Sequence, residues 1–218
     1  MSRRPFFVAL AQSGTRWFFR VLLLLMYRVR VYGLKNYPAE DGFLICANHQ
    51  SHLDPIVMGV ICPRPINYLA RQTLFRFKSL SWFLSWNDAI PIDLEGTGLA
   101  GLKETLRRLK RRETVLIFPE GTRSPDGKLQ PIKLGFAAVG RRAKSDLLPI
   151  AFAGAFEAMP RTAWFPVPGS IQAVIGEPIS YSEYQALTDE ALGQLLDLRM
   201  QECFAAAKHR RDTLVSTL

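Results

Sequence analysis

Asn48-His49-Gln50-Ser51-His52-Leu53-Asp54 sets an imidazole and a carboxylate five positions apart, directly after an apolar run. One tight turn can bring His49 and Asp54 together. A carboxylate on one ring nitrogen fixes the tautomer and leaves the other nitrogen to take a proton, which is general-base chemistry. The same two residues serve equally as a structural contact or a helix cap, and the heptapeptide alone leaves these readings open. About 70 residues further on, Phe118-Pro119-Glu120-Gly121-Thr122-Arg123-Ser124 follows a second apolar run. Gly121 permits a backbone turn that other residues resist. Arg123 offers a planar fork of donors suited to phosphate. Glu120 can hold that guanidinium or bind a substrate hydroxyl; the alternative is a plain loop ion pair between Glu120 and Arg123.

Both motifs need rigid elements behind them. Apolar runs at 29–34, 43–48, 66–70, 89–93, 114–118, 148–153 and 171–175 read as strands. Helical periodicity marks 55–61, 73–85, 99–111, 133–144 and 189–208, with Leu99, Leu102, Leu106 and Leu109 forming one stripe. Asp54 stands where the N-cap of the first of these would sit, and Thr188 where that of the last would. Ser124-Pro125-Asp126-Gly127 is turn chemistry. The alternation predicts one α/β domain, a largely parallel twisted sheet flanked by helices. Each motif then falls in a loop at the carboxyl end of a strand, where sites of such sheets gather.

The chain has 218 residues, a hydrophobic fraction of 48% and a charged fraction of 22%, which suits a single globular core. Its formal net charge of +9 favours anionic partners. Cys46, Cys62 and Cys203 form neither a metal pair nor a disulfide framework, so a reducing compartment is expected. Seven basic residues precede the first acid, Glu40, interleaved with Phe6, Phe7, Trp17, Phe18 and Phe19. The apolar run 21–27 is far short of the roughly 20 residues of a bilayer span. Residues 1–28 are therefore expected to form an amphipathic helical anchor lying in a membrane interface, with 29–218 as the catalytic domain. An ordinary first helix packed on the domain, or a mitochondrial transit segment, is the alternative.

Taken together and in this order, the two motifs resemble those of the glycerophospholipid acyltransferase family, which includes the 1-acylglycerol-3-phosphate acyltransferases. Asn48, His49 and Asp54 match its Asn-His-x4-Asp motif, and residues 118–124 match its Phe-Pro-Glu-Gly-Thr-Arg-Ser motif at every position. Leu148-Pro149-Ile150-Ala151, the stretch 70–75 and Ile175-Gly176-Glu177-Pro178-Ile179 are also similar, so the likeness covers about residues 30–180. The resemblance implies an enzyme of phospholipid biosynthesis. It would move a fatty acyl group from acyl-CoA or an acyl carrier protein to the hydroxyl of 1-acylglycerol-3-phosphate, or of another lysolipid, giving phosphatidic acid in the first case. His49 would be the base and Asp54 its orienting carboxylate. Glu120, Gly121, Thr122 and Arg123 would hold the glycerol-phosphate end, and Lys133 is a further candidate for a phosphate contact. No metal or bound cofactor is required. The implied location is a membrane surface with anionic lipid, peripheral or monotopic, on the cytoplasmic face, with no nucleic-acid partner. One departure stands out: in Ile90-Pro91-Ile92-Asp93-Leu94, Leu94 occupies the place of a family arginine associated with the acceptor phosphate.

Other residues carry plainer expectations. Cys46 reads as core, Ser51 as a loop hydrogen-bonder and His209 as surface. The cluster Lys103, Arg107, Arg108, Lys110, Arg111 and Arg112 is either a solvated helix face or a contact for anionic lipid, CoA phosphates or an acidic carrier. Two rival functions remain: a metal-dependent hydrolase using His49, His52 and Asp54 as ligands, and a non-catalytic module for anionic membranes or nucleic acid. The hydrolase gives residues 118–124 no role, and the binding module leaves both motifs without one.

Overall fold

Strand patterning along the chain builds one seven-stranded sheet in a computed structural model, which describes residues 14, 21–40, 42–76, 78, 81, 89–92 and 99–216. A helix at 21–27 (α1) leads into β1 (Arg30–Tyr32). Then follow β2 (Leu44–Ala47), α2 (Asp54–Ile61), β3 (Asn67–Arg71) and β4 (Ile90–Ile92). After these come α3 (Leu99–Lys110), β5 (Val115–Ile117), α4 (Gly135–Ala143), β6 (Leu147–Ala153) and α5 (Ala155–Ala158). The chain closes with β7 (Gln172–Ile175), α6 (Tyr181–Tyr184) and the long α7 (Asp189–Ser216). The strand order is β1-β7-β6-β2-β5-β3-β4. Every neighbouring pair is parallel except β6 and β7, which run antiparallel. The largely parallel α/β sheet is therefore present, with β1 and β7 reversed against the other five strands.

Alternation along each strand explains the layers, because successive side chains leave a strand on opposite faces. Ile45 and Ala47 of β2 join Leu148, Ile150 and Phe152 of β6 under α1, α2 and α5. Leu44 and Cys46 face the other way, under α3, α4, α6 and α7, with Phe136, Leu192, Leu196 and Met200. All seven residues of β6 are buried, as expected of a strand covered on both faces. Removing a Leu, Ile or Phe side chain of this kind from water stabilises the fold by roughly 1.5–3 kcal/mol.

Several expectations change in detail. Asp54 does not cap α2; it is the first helical residue, Leu53 holds the cap position, and the Asp54 carboxylate turns back into the preceding loop. Thr188 does cap α7, accepting the Ala191 N–H at 3.1 Å, and α7 runs past Lys208 to Ser216. Of the helix expected at 73–85, residues 72–76 form a 3-10 segment and most of the rest lies outside the described residues. Residues 1–13 and 15–20 of the expected anchor lie outside them too, as do Asp93, Leu94 and the Arg71 side chain. In the described part of that segment, Leu23 and Tyr27 are buried in the core. Among the described residues no helix is long and apolar enough to cross a membrane.

Candidate active site

β2 lies between β5 and β6 at the sheet's centre, and all three are parallel. Their carboxyl ends therefore share one edge, and the loops leaving β2 and β5 emerge side by side. Three bonds fasten them: the Ser124 N–H donates to the His49 carbonyl at 2.7 Å, the His49 N–H donates to Glu120 Oε1 at 3.3 Å, and Gln50 Nε2 donates to the Gly127 carbonyl at 2.6 Å. A tie to β6 comes from Asn48. Its carboxamide nitrogen donates to the Phe152 carbonyl and its oxygen accepts the Phe152 N–H, both at 3.0 Å. The side chain thus replaces a rung of backbone ladder between β2 and β6 just where the β2 loop departs.

His49 Nδ1 lies 2.7 Å from Asp54 Oδ2. The same oxygen accepts the N–H groups of Gln50 at 2.6 Å and Ser51 at 2.7 Å. Asp54 is completely buried. Burial pushes its carboxyl above the usual carboxylate range, against the pull of the bonds from His49, Ser51 and Gln50. Oδ2 already accepts two backbone N–H groups, so it faces Nδ1 as an acceptor, and the tautomer that suits it has the proton on Nδ1 and the lone pair on Nε2. Phe118 stacks on the imidazole, ring centres 4.1 Å apart and 14° from parallel. A carboxylate on one side and an aromatic face on the other fix the ring's orientation. Ser51 is buried, donating to the Met159 carbonyl at 2.7 Å and accepting the Leu53 N–H, so it is a loop fastener as expected. Cys46 is buried in the core, where desolvation raises its thiol pKa, and it offers no nucleophile.

The second loop carries Gly121, Thr122 and Arg123, Lys133 returns to it, and it is bonded to the first loop at His49. The Gly121 N–H closes a turn on the Phe118 carbonyl at 2.9 Å, and Lys133 returns to the loop through its N–H on the Pro119 carbonyl at 2.9 Å. Gly121 has φ +71, and a Cβ there would meet Lys133 Nζ at 2.9 Å. The backbone conformation favours glycine, and any larger residue would also displace the end of the lysine side chain lying across it. Gly121, Thr122 and Lys133 are exposed, and Arg123 is half-buried. The Arg123 charge reaches His52, whose pKa is lowered by partial burial, then by Arg123 and by His49. Glu120 is placed differently from the other four. Only 3% exposed, it is turned inward to the His49 amide, and burial raises its pKa to about 8, with the Asp54 charge adding to the rise.

The basic cluster on α3 is not part of this edge. Arg107 and Arg108 pair with Glu104, Arg108 also with Glu113, and Arg112 with Glu40. The end of α3 leads into the start of β5, at the sheet edge opposite the motif loops. Among the described residues no group of three His, Cys, Asp or Glu side chains converges on a possible ion, so the hydrolase alternative lacks an assembled ligand set there. His209 is exposed on α7. Asn48 and Phe118 belong to the motifs, yet residue type alone gives no hint of a strand splint or a ring stack.

A family model described as Acyltransferase matches residues 28–153. The chain belongs to the acyltransferase family. It is similar to the 1-acyl-sn-glycerol-3-phosphate acyltransferase of Bacillus subtilis (strain 168), 32% identical over 188 residues that cover 84% of this chain and 92% of that relative. It is 34% identical to the enzyme of the same name from Pseudomonas aeruginosa over 171 residues, 77% of this chain and 64% of that one. The fold is similar to the crystal structure of the 1-acyl-sn-glycerophosphate (LPA) acyltransferase PlsC from Thermotoga maritima. The TM-score is 0.80 at 23% identity, covering 93% of this chain and 82% of the other.

Proposed function

We propose that this acyltransferase forms phosphatidic acid by moving a fatty acyl group from acyl-CoA or an acyl carrier protein to the free hydroxyl of 1-acylglycerol-3-phosphate. The observation that carries the reading is the 2.7 Å His49–Asp54 pair, set against the loop of Gly121, Arg123 and Lys133. His49 Nε2 takes the hydroxyl proton as the oxygen attacks the thioester carbonyl. The carbon–sulfur bond then breaks, and the imidazolium returns its proton to the departing thiolate. Asp54 keeps the ring in the productive tautomer and offsets the imidazolium charge. Arg123 and Lys133 receive the acceptor phosphate, which places the hydroxyl within reach of the base. Thr122, exposed in the same loop, is a further hydroxyl for the glycerol-phosphate end. Glu120 shapes this site from behind, through the His49 amide.

The membrane assignment follows from the acceptor, a lipid, and from the basic, aromatic-rich start of the chain. Residues 1–20 act as a peripheral anchor on anionic lipid at the cytoplasmic face, and residues from 21 onward pack as the catalytic unit. A matrix of donors and acceptors with mass-spectrometric identification of products tests the whole reading. Lysophosphatidic acid should be the preferred acceptor, and Arg123→Ala should raise its KM by about 10- to 100-fold, the worth of one charge-assisted contact. Faster turnover of a matched lysolipid without a phosphate monoester, together with an indifferent Arg123→Ala, would overturn the acceptor and leave acyl transfer standing.

A further inference from the structure

The loop from Met159 to Ile171 joins α5 to β7 and takes no part in the chemistry above. Trp164 is 90% exposed and Phe165 83%, with Val167 open beside them. Aromatic side chains offer large areas for burial, so a cluster held in water marks a contact surface. The loop is firmly built. The Ala163 N–H donates to Pro160 at 3.0 Å and the Val167 N–H to Ala158 at 2.8 Å, and Pro160, Pro166 and Pro168 restrict its backbone. Two more bonds dock it on α1: the Gly169 N–H donates to Met26 at 3.0 Å and the Ile171 N–H to Tyr27 at 2.9 Å. On α1 itself Leu25 is 78% exposed and Leu24 49%. Outward apolar side chains from two distant stretches of sequence are thus held on neighbouring segments.

Charge selects the occupant. No acidic residue lies between Glu157 and Glu177, and none precedes Glu40. Arg28, Arg30 and Arg161 are exposed in the same two stretches. An aromatic tip on stretches that carry exposed arginines and no acid between residues 157 and 177 fits an anionic bilayer, with Trp and Phe at headgroup depth and Arg on the phosphates. The tip is also coupled to the catalytic loop, since Ser51 Oγ donates to the carbonyl of Met159, where the loop begins.

We propose that Trp164 and Phe165, with Leu24 and Leu25 beside them, insert into an anionic membrane and seat the mouth of the active site on it. The tip is distinct from the anchor at residues 1–20, and it rests on the lipid-acyltransferase reading for the acceptor's location alone. The test is full-length Trp164→Ser/Phe165→Ser, compared with the parent on vesicles of phosphatidylcholine with phosphatidylglycerol. Vesicle partition should weaken by at least about tenfold, and transfer to lysophosphatidic acid in those vesicles should fall with it. Transfer to the same acceptor in detergent micelles should stay within about twofold, because both side chains are exposed. Unchanged partition overturns the proposal. So does an equal loss in micelles, which would put the tip's role in the site itself, or a change from dimer to monomer with partition retained, which would make a second copy the occupant. A parent protein inactive on lysophosphatidic acid in both media would instead overturn the acceptor reading, and the partition measurement would still stand.

Discussion

The three hydrogen bonds on Asp54 Oδ2 make one atom responsible for both the shape and the chemistry of the first loop. His49→Ala should lower kcat by at least about 10²- to 10⁴-fold with the fold retained, the usual worth of a general base; a folded variant with near-normal turnover would remove His49 from the mechanism. Asp54→Asn keeps an acceptor for the two amides but not the charge that favours the imidazolium, so kcat should fall nearly as far while the unfolding midpoint moves little. Asp54→Ala should also cost stability, on the order of 2–4 kcal/mol in urea unfolding, because two buried amides lose their acceptor. Glu120 has a different signature. Its folded pKa of about 8 exceeds the ordinary 4.5, so the folded chain holds this proton longer than the unfolded one. Stability contributed by the neutral acid is complete below the ordinary value and is lost as pH rises toward 8, with a slope of up to about 1.4 kcal/mol per pH unit. Glu120→Gln preserves an oxygen for the His49 N–H and should flatten this slope. Urea titrations across that window, parent beside variant, check the sign, and parallel profiles would count against it.

Among the elements, the decisive one is the departure of the loop from β2, which Asn48 controls. Asn48→Leu fills similar space but orphans the N–H and carbonyl of Phe152, both buried, and should destabilise by about 2–4 kcal/mol. Asn48→Asp, which retains the acceptor alone, should fall between; if both variants unfold with the parent, the splint contributes nothing. This splint shows where sequence legibility ended. Leu44–Ala47, Val115–Ile117 and Leu147–Ala153 were readable because strands buried on both faces carry unbroken apolar runs. The two motifs were readable because their residue types stand in a fixed order, and the structure pairs His49 with Asp54, lays Lys133 across Gly121 and bonds the two motif loops to each other. Asp54 was expected as a helix cap since local propensity favours that use; the amides of Gln50 and Ser51 compete for it and win. The heptapeptide does not reveal that the Glu120 carboxyl is buried and accepts the His49 N–H. The reversal of β7 was not legible either. Direction in a sheet depends on how a connection packs, and the loop before β7 holds neither a long helix nor a hairpin turn. The four-residue helices α5 and α6 are too short for periodicity to register.

At the scale of the whole molecule, the described end of the proposed anchor segment packs into the core. Leu23 and Tyr27 are each 2% exposed, so cutting at residue 28 strips core as well as anchor. Deleting 1–20 should leave a folded, active protein with weaker and less salt-sensitive vesicle binding. Deleting 1–28 should cost a further 1.5–3 kcal/mol or so for each buried side chain. Thermal melts and vesicle sedimentation of the two truncations separate the effects, and equal stability of both would return residues 21–28 to the proposed anchor. The sheet order has a last consequence, for synthesis. β1 has one neighbour in the sheet, β7, and Tyr32 and Gln172, which touch across that pair, are 140 positions apart. Translation at about 5–20 residues per second puts roughly 7–30 s between their appearances at the ribosome. Of the described strands, the first made is thus the one that waits longest for a neighbour, while the strands between them can already pair. Nascent chains stalled before Gln172 should stay open to trypsin at Arg28 and Arg30, and chains stalled well beyond Ile175 should close. The basic, aromatic stretch 1–20 is translated ahead of β1, so the membrane contact proposed for it would be open to lipid throughout that delay, before the fold is complete.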